Sequence, residues 1–231
     1  MGNICIIPAR GGSKRIPKKN IKEFLGKPII AYSISAAINS NLFDEVMVST
    51  DDIEIADLAK KFKAKVPFMR SAKNSDDLAT TCDVLLEVIQ NYDNLNMEFE
   101  NICCLYPCAP FVTTKLLSRA YNHLIENEYD SVLPIAAFRS PIQRALRVDN
   151  DKLSMIYEEN SNTRSQDLDK CFYDVGQFYW LRKNKLVENR KLLMSNSGAI
   201  KISELDAQDI DNITDWRLAE LKFKLNRNVS K

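Results

Sequence analysis

Histidine is nearly missing from this chain: among 231 residues there is one, His123. That excludes a multi-histidine metal centre, and it leaves a Ser-His-Asp or Cys-His mechanism only this single imidazole. His123 falls in the middle of a helical stretch, away from the loops discussed below, and reads as a surface histidine. No Cys-x-x-Cys pair occurs among Cys5, Cys82, Cys103, Cys104, Cys108 and Cys171. They read as small buried hydrophobes in a reducing compartment. No stretch reaches the ~18 apolar residues of a membrane span, and the first residues run directly into a strand-like segment without a signal-peptide pattern, so a cytoplasmic protein without membrane contact is expected. An excess of charge is missing too. The 32 Lys+Arg against 31 Asp+Glu leave +1, which disfavours binding nucleic acid through overall charge. What is present is 45% apolar and 27% charged residues, enough for a core, in a length that fits one domain over 1–231. Chemistry, if there is any, falls to carboxylates, lysines, arginines and a hard metal.

Apolar runs alternate with helical patterns. Asn3–Pro8, Glu45–Ser49, Asn101–Tyr106, Ser131–Phe138, Gly176–Leu181 and Gly198–Ile202 read as strands. Pro28–Ser40 reads as a helix opened by its proline, and Ile53–Phe62 as one with Ile55, Leu58, Ala59 and Phe62 on a single face. Ala79–Tyr92, Thr113–Glu126 and Ile213–Leu225 are further helices, followed by a basic tail. Strands that are apolar throughout, separated by helices, predict an α/β fold with a mainly parallel sheet covered on both faces. Arg139–Asp174 breaks the rhythm. It is polar and too long for an ordinary connection, so an inserted arm is expected at about 139–175.

In such a sheet ligands bind beyond the carboxyl ends of the strands. The loop after the first strand runs Pro8-Ala9-Arg10-Gly11-Gly12-Ser13-Lys14-Arg15-Ile16-Pro17-Lys18-Lys19-Asn20. It is neither a Walker A loop nor Gly-x-Gly-x-x-Gly. Gly11 and Gly12 would let backbone N–H groups approach an anion, and Arg10, Lys14, Arg15, Lys18 and Lys19, with Lys22 just beyond, would supply a triphosphate cradle. A solvated basic loop is the bland alternative. Asp209-Ile210-Asp211 in extended backbone puts both carboxylates on one side, the arrangement Mg²⁺ uses beside phosphates. Helix capping by Asp211 or Asn212 is the alternative. Arg70–Thr81 offers small donors at a helix start, for a base edge or a phosphate, against a plain cap at Asp76 or Asp77.

Taken together, Ile7–Lys14, Lys19-Asn20, Val48-Ser49-Thr50-Asp51, Leu105–Pro110 and Asp209-Ile210-Asp211 resemble, in order, the signatures of the CMP-sialic acid synthetases, or acylneuraminate cytidylyltransferases. Arg70–Thr81, Tyr106–Phe111, Pro141–Leu146, Asn162–Leu168 and Asp174–Trp180 resemble the branch of that family that acts on pseudaminic acid. Tyr106 and Ala109 stand where sialic acid enzymes carry glutamine and serine, and Cys108 stands where threonine is expected. The resemblance implies a Rossmann-like nucleotide-sugar transferase fold. It also implies transfer of CMP from CTP to the anomeric hydroxyl of a nonulosonic acid, with release of pyrophosphate. By resemblance, Ala9, Arg10, Gly11, Ser13, Lys19, Asn20, Arg70 and Thr81 hold CTP, and Asp209 and Asp211 hold Mg²⁺. Tyr106, Gln143, Arg144, Arg164 and Gln177 face the sugar, Arg10, Lys19 and Asp211 serve catalysis, and the arm joins two subunits. N-acylneuraminate or another nonulosonic acid is the alternative substrate. A nucleotide sensor on the same fold is the non-enzymatic alternative.

Overall fold

The computed structural model describes residues 2–229, the last three through their backbone alone. The chain runs β1 (Gly2–Pro8), β2 (Glu23–Phe24), β3 (Lys27–Pro28), α1 (Ile30–Ser40), β4 (Glu45–Ser49), α2 (Ile53–Lys61), α3 (Thr81–Asn94), β5 (Phe99–Leu105) and α4 (Thr114–Glu126). It continues with β6 (Ser131–Ala137), β7 (Leu146–Asp149), β8 (Lys152–Met155), β9 (Phe172–Asp174), β10 (Phe178–Arg182), α5 (Lys183–Asn189), β11 (Ser197–Lys201) and α6 (Ile213–Val229).

Six strands of the main sheet are ordered β11-β6-β10-β5-β1-β4, and β9 adds to β6. β1 pairs in parallel with β4 and β5, and β11 with β6, while β10 runs against both its neighbours and β9 against β6. Five of the seven strands therefore point the same way, and the sheet is mixed. Alternation along the strands sorts the core into two layers. Cys5, Ile7, Val48, Cys103 and Leu105 face α1, α2 and α4. Ile4, Ile6, Met47, Ile102 and Cys104 face α3 and α5. Four cysteines are buried, and all six are free thiols.

The structure corrects three expectations. Pro28 does not open α1. It pairs with Glu23 in a two-residue hairpin whose turn, Leu25-Gly26, has both residues at positive φ (47° and 93°), the geometry such a hairpin requires. Within 139–175, β7 pairs with β8, and Phe172–Asp174 pairs with the main sheet. The supposed basic tail is helical through Val229, with only 230–231 outside the described residues. His123 is half-buried rather than on the open surface, with its ring 5.1 Å from Tyr129.

Candidate active site

The C-terminal ends of β1 and β5 meet at a cleft of about 560 Å³, lined among others by Arg10, Ser13, Lys14, Arg15, Lys19, Tyr106, Cys108, Asp209 and Asp211. A smaller cavity of about 290 Å³ adjoins it, lined by Arg70, Asn74, Asp76 and Thr81. Pro8, Arg10, Asp77 and Tyr106 belong to both and mark the boundary.

The cleft is built from the basic loop on one side and the 209–211 segment on the other. Ile210 is buried against Trp216 and Phe24 under α6. Its two neighbours in extended chain therefore turn their carboxylates to the cleft. Asn212 caps α6, its Oδ1 accepting from Thr214 N (2.8 Å) and Asp215 N (3.1 Å), so the Asp211 carboxylate is free of that duty. Lys19 Nζ donates to the Ile210 carbonyl at 2.7 Å and lies 3.9 Å from Asp211 Oδ1. Arg15 donates to the same oxygen at 2.8 Å. Partial desolvation, followed by repulsion from Asp211, raises the Asp209 carboxyl above the usual range. Two carboxylates that repel one another across a cationic cleft suit a hard divalent cation. Among the described residues no group of three acidic, histidine or cysteine side chains forms, so phosphate oxygens and water would complete its shell.

Of the cations in the loop, Arg10, Lys14, Arg15 and Lys19 reach the cleft. Lys18 turns away to Glu54, 2.5 Å distant, and Lys22 lies over the Trp216 ring at 5.6 Å. Asn20 is buried and donates to the Arg10 carbonyl at 2.9 Å, while Cys108 Sγ donates to its Oδ1 at 3.4 Å. Burial pushes the Cys108 thiol up to about 12, so this sulfur stays protonated. Gly11 does not serve as an open anion donor. Its N–H donates to Asp51 Oδ1 at 2.9 Å, and a Cβ there would come within 2.6 Å of Asp52 Oδ2. Ala9 is buried, its N–H donating to Ser49 O at 2.9 Å.

In the smaller cavity Arg70 is buried and held by Ser49, Nε donating to Oγ at 3.0 Å. Thr81 Oγ1 lies 3.1 Å from the Tyr106 hydroxyl. Burial pushes that phenol up to about 12, so it remains a neutral hydrogen-bonding group. The cap of α3 is Thr80, in a reciprocal box with Asp83; it is neither Asp76 nor Asp77.

A family model described as Cytidylyltransferase matches residues 4–206. The chain belongs to the cytidylyltransferase family. It is 41% identical over 227 residues to a pseudaminic acid cytidylyltransferase of Campylobacter jejuni subsp. jejuni serotype O:2, covering 98% of each chain. It is 32% identical over 229 residues to a CMP-N,N'-diacetyllegionaminic acid synthase of the same organism, covering 98% of this chain and 97% of that one. Its fold matches a structure of CMP:2-keto-3-deoxy-manno-octonic acid synthetase complexed with CTP, with a TM-score of 0.71 at 17% identity, over 99% of this chain and 100% of that one. The Rossmann-like nucleotidyltransferase architecture expected from the sequence is thereby borne out.

Within this cytidylyltransferase, the structure brings together most of the residues singled out from sequence, but not all. Gln177 is buried, and its amide donates to the Asp206 carbonyl at 2.5 Å, which holds the segment leading to Asp209. Gln143, Arg144 and Arg164 sit on the arm and do not line the cleft: Gln143 donates to Asp169 O at 3.0 Å and Arg144 to Ser165 Oγ at 3.4 Å. Sequence reasoning missed Asp77, which pairs with Arg10 (2.8 Å) and Lys14. It also missed the hydrogen bond from the Tyr179 hydroxyl to Asp174 beside Tyr106. The Asp77 pairs carry no local sequence signal, because they join segments more than sixty residues apart; Tyr179 and Asp174 lie five residues apart, and it is the turn between β9 and β10 that brings them together.

Proposed function

We propose that the protein transfers CMP from CTP to the anomeric hydroxyl of pseudaminic acid and releases pyrophosphate. The observation that carries this reading is one cleft in which four cations of the first loop face Asp209 and Asp211, with the Arg70–Thr81 cavity alongside. Near-complete alignment with a pseudaminic acid cytidylyltransferase at 41% identity supports the choice of sugar. Arg10, Lys14, Arg15 and Lys19, with Ser13, would take the triphosphate, while Asn20, Arg70 and Thr81 would hold ribose and cytosine. Tyr106, at the boundary of the two cavities, would face the incoming sugar. Mg²⁺ held by Asp209 and Asp211 would supply charge neutralisation on the phosphate oxygens.

Attack at the α-phosphorus builds negative charge on the phosphoryl oxygens and on the departing pyrophosphate. Arg10 and Lys19 oppose that charge from fixed positions, and this preorganisation favours the transition state over the ground state. The whole chain would act as a single catalytic domain in the cytoplasm, where free thiols such as these persist.

The arm would join two subunits. In the β7–β8 register Val148 lies opposite Leu153 and Leu146 opposite Met155, so these four share one face. Leu146, Val148 and Leu153 are 58%, 66% and 67% exposed. A two-stranded ribbon with an open apolar face is marginal alone, and such a face favours a protein partner. A dimer would carry Gln143, Arg144 and Arg164 towards the partner's cleft. Incubation with CTP, Mg²⁺ and a panel of nonulosonic acids, with pyrophosphate measured, tests the reaction. Absence of pyrophosphate release with every sugar would refute it.

A further inference from the structure

The cradle for phosphate already holds an anion of the protein's own. Arg10 reaches Asp77 Oδ1 at 2.8 Å and the Asp76 carbonyl at 2.9 Å through the same nitrogen, and Lys14 pairs with the other Asp77 oxygen. The loop bearing Asp77 is anchored at both ends. On one side Ser71 N and Asn74 Nδ2 bind the Glu87 carboxylate; on the other stands the Thr80–Asp83 capping box. Between these anchors Asp76 folds back onto its own loop, its Oδ1 accepting from Leu78 N (2.9 Å) and Ala79 N (2.8 Å). Asp77 instead extends across the cleft, at the boundary shared by the two cavities. A carboxylate bridging an arginine and a lysine presents the charge and the oxygen acceptors that a phosphate would present there.

We propose that Asp77 is an internal competitor for the polyphosphate subsite, and that it sets how tightly pyrophosphate is retained. The inference rests on the reading of Arg10 and Lys14 as phosphate ligands. A triphosphate or pyrophosphate that engages those two cations must displace Asp77, whereas a nucleoside without phosphates need not. The same carboxylate can return to Arg10 and Lys14 as pyrophosphate departs. Asp77 is therefore a specificity-determining residue that weakens product binding without touching the reacting atoms. The ion pairs hold its carboxyl below the usual range, so it remains charged and competent to compete at neutral pH.

The test is calorimetric titration of inorganic pyrophosphate, in metal-free buffer of low ionic strength, into the full chain and three variants. Asp77→Asn keeps the shape and removes the charge; it is expected to tighten pyrophosphate on the order of 10-fold, the scale of two partly exposed ion pairs. Asp77→Glu keeps the charge and should stay near the wild-type value, while Arg10→Ala should weaken binding. Pyrophosphate affinity in Asp77→Asn equal to or weaker than wild type, with Arg10→Ala weakened, would overturn the role of Asp77 alone. Equal tightening by Asn and Glu would overturn it too, since loop perturbation would then be the cause. No effect of Arg10→Ala would overturn the phosphate reading of the cradle and this inference with it.

Discussion

Arg15 and Asp211 stand 196 residues apart in the chain, yet the guanidinium donates to the carboxylate at 2.8 Å. This contact joins the loop after the first strand to the segment before the last helix, closing the cleft on one side. With Lys19 on the Ile210 carbonyl, it ties the cationic half of the site to the acidic half. The two halves of the cleft are thus positioned by each other.

Asp211→Asn preserves shape and removes the charge that a divalent cation would use. Turnover should fall about 100-fold or more while the thermal midpoint changes little, because Asp211 is partly exposed and caps no helix. Steady-state rates over a Mg²⁺ series check this. Undiminished turnover, or full activity in excess chelator, would remove the metal role from this pair.

Among the cations, Arg10→Ala and Lys19→Ala should each lower kcat about 100-fold, since the charge they face grows in the transition state. Lys18→Ala is the internal control. Its side chain pairs with Glu54 outside the cleft, so kcat should hold steady. Comparable small losses at all three positions would mean the loop is merely solvated surface.

The basic loop and Asp209-Ile210-Asp211 were legible in sequence because each is local: the cations crowd ten residues, and the acids flank one buried isoleucine. The partners of those groups were not. Asp77 lies 67 residues from Arg10 and has the wrong sign for a phosphate site, so no spacing rule flags it. Strand directions were equally hidden. Phe178–Leu181 is apolar on both faces, as a buried strand is in either direction, and only its pairing shows that β10 runs against its neighbours. Pro28 fitted a helix start as well as the hairpin it actually ends, because both accept a residue without an N–H.

Cys108 lines the cleft, yet its thiol should react poorly. With the thiol pushed up to about 12, its thiolate fraction at pH 8 falls roughly a thousandfold below that of an ordinary cysteine. Iodoacetamide labelling followed by mass spectrometry should leave Cys108 unmodified at pH 8, with labelling rising only as the pH climbs towards that value. Rapid labelling at pH 7 would contradict the burial that causes the shift.

If the arm joins two subunits as proposed, changing Val148 and Leu153 together to Lys should produce monomers, because the two residues face each other across an exposed ribbon. Sedimentation velocity reads the state directly. Activity should fall with dissociation if the arm serves a partner's cleft, and a fully active monomer would leave the arm without that role.

The account turns on which sugar receives CMP. Tyr106 lines the cleft with aromatic surface where, by the resemblance, sialic acid enzymes carry glutamine, while Ala109 and Phe111 are buried in the core behind it. A sugar whose glycerol tail is deoxygenated should therefore be favoured. Hydroxyls left without partners cost ~1–3 kcal/mol each, so two such losses amount to about 100-fold. The direct measurement is a competition assay with CTP, Mg²⁺ and equal concentrations of pseudaminic acid and N-acetylneuraminic acid, resolving the two CMP-sugars. The account predicts CMP-pseudaminate in about 100-fold excess; comparable formation of both products, or preference for the neuraminate, would contradict it.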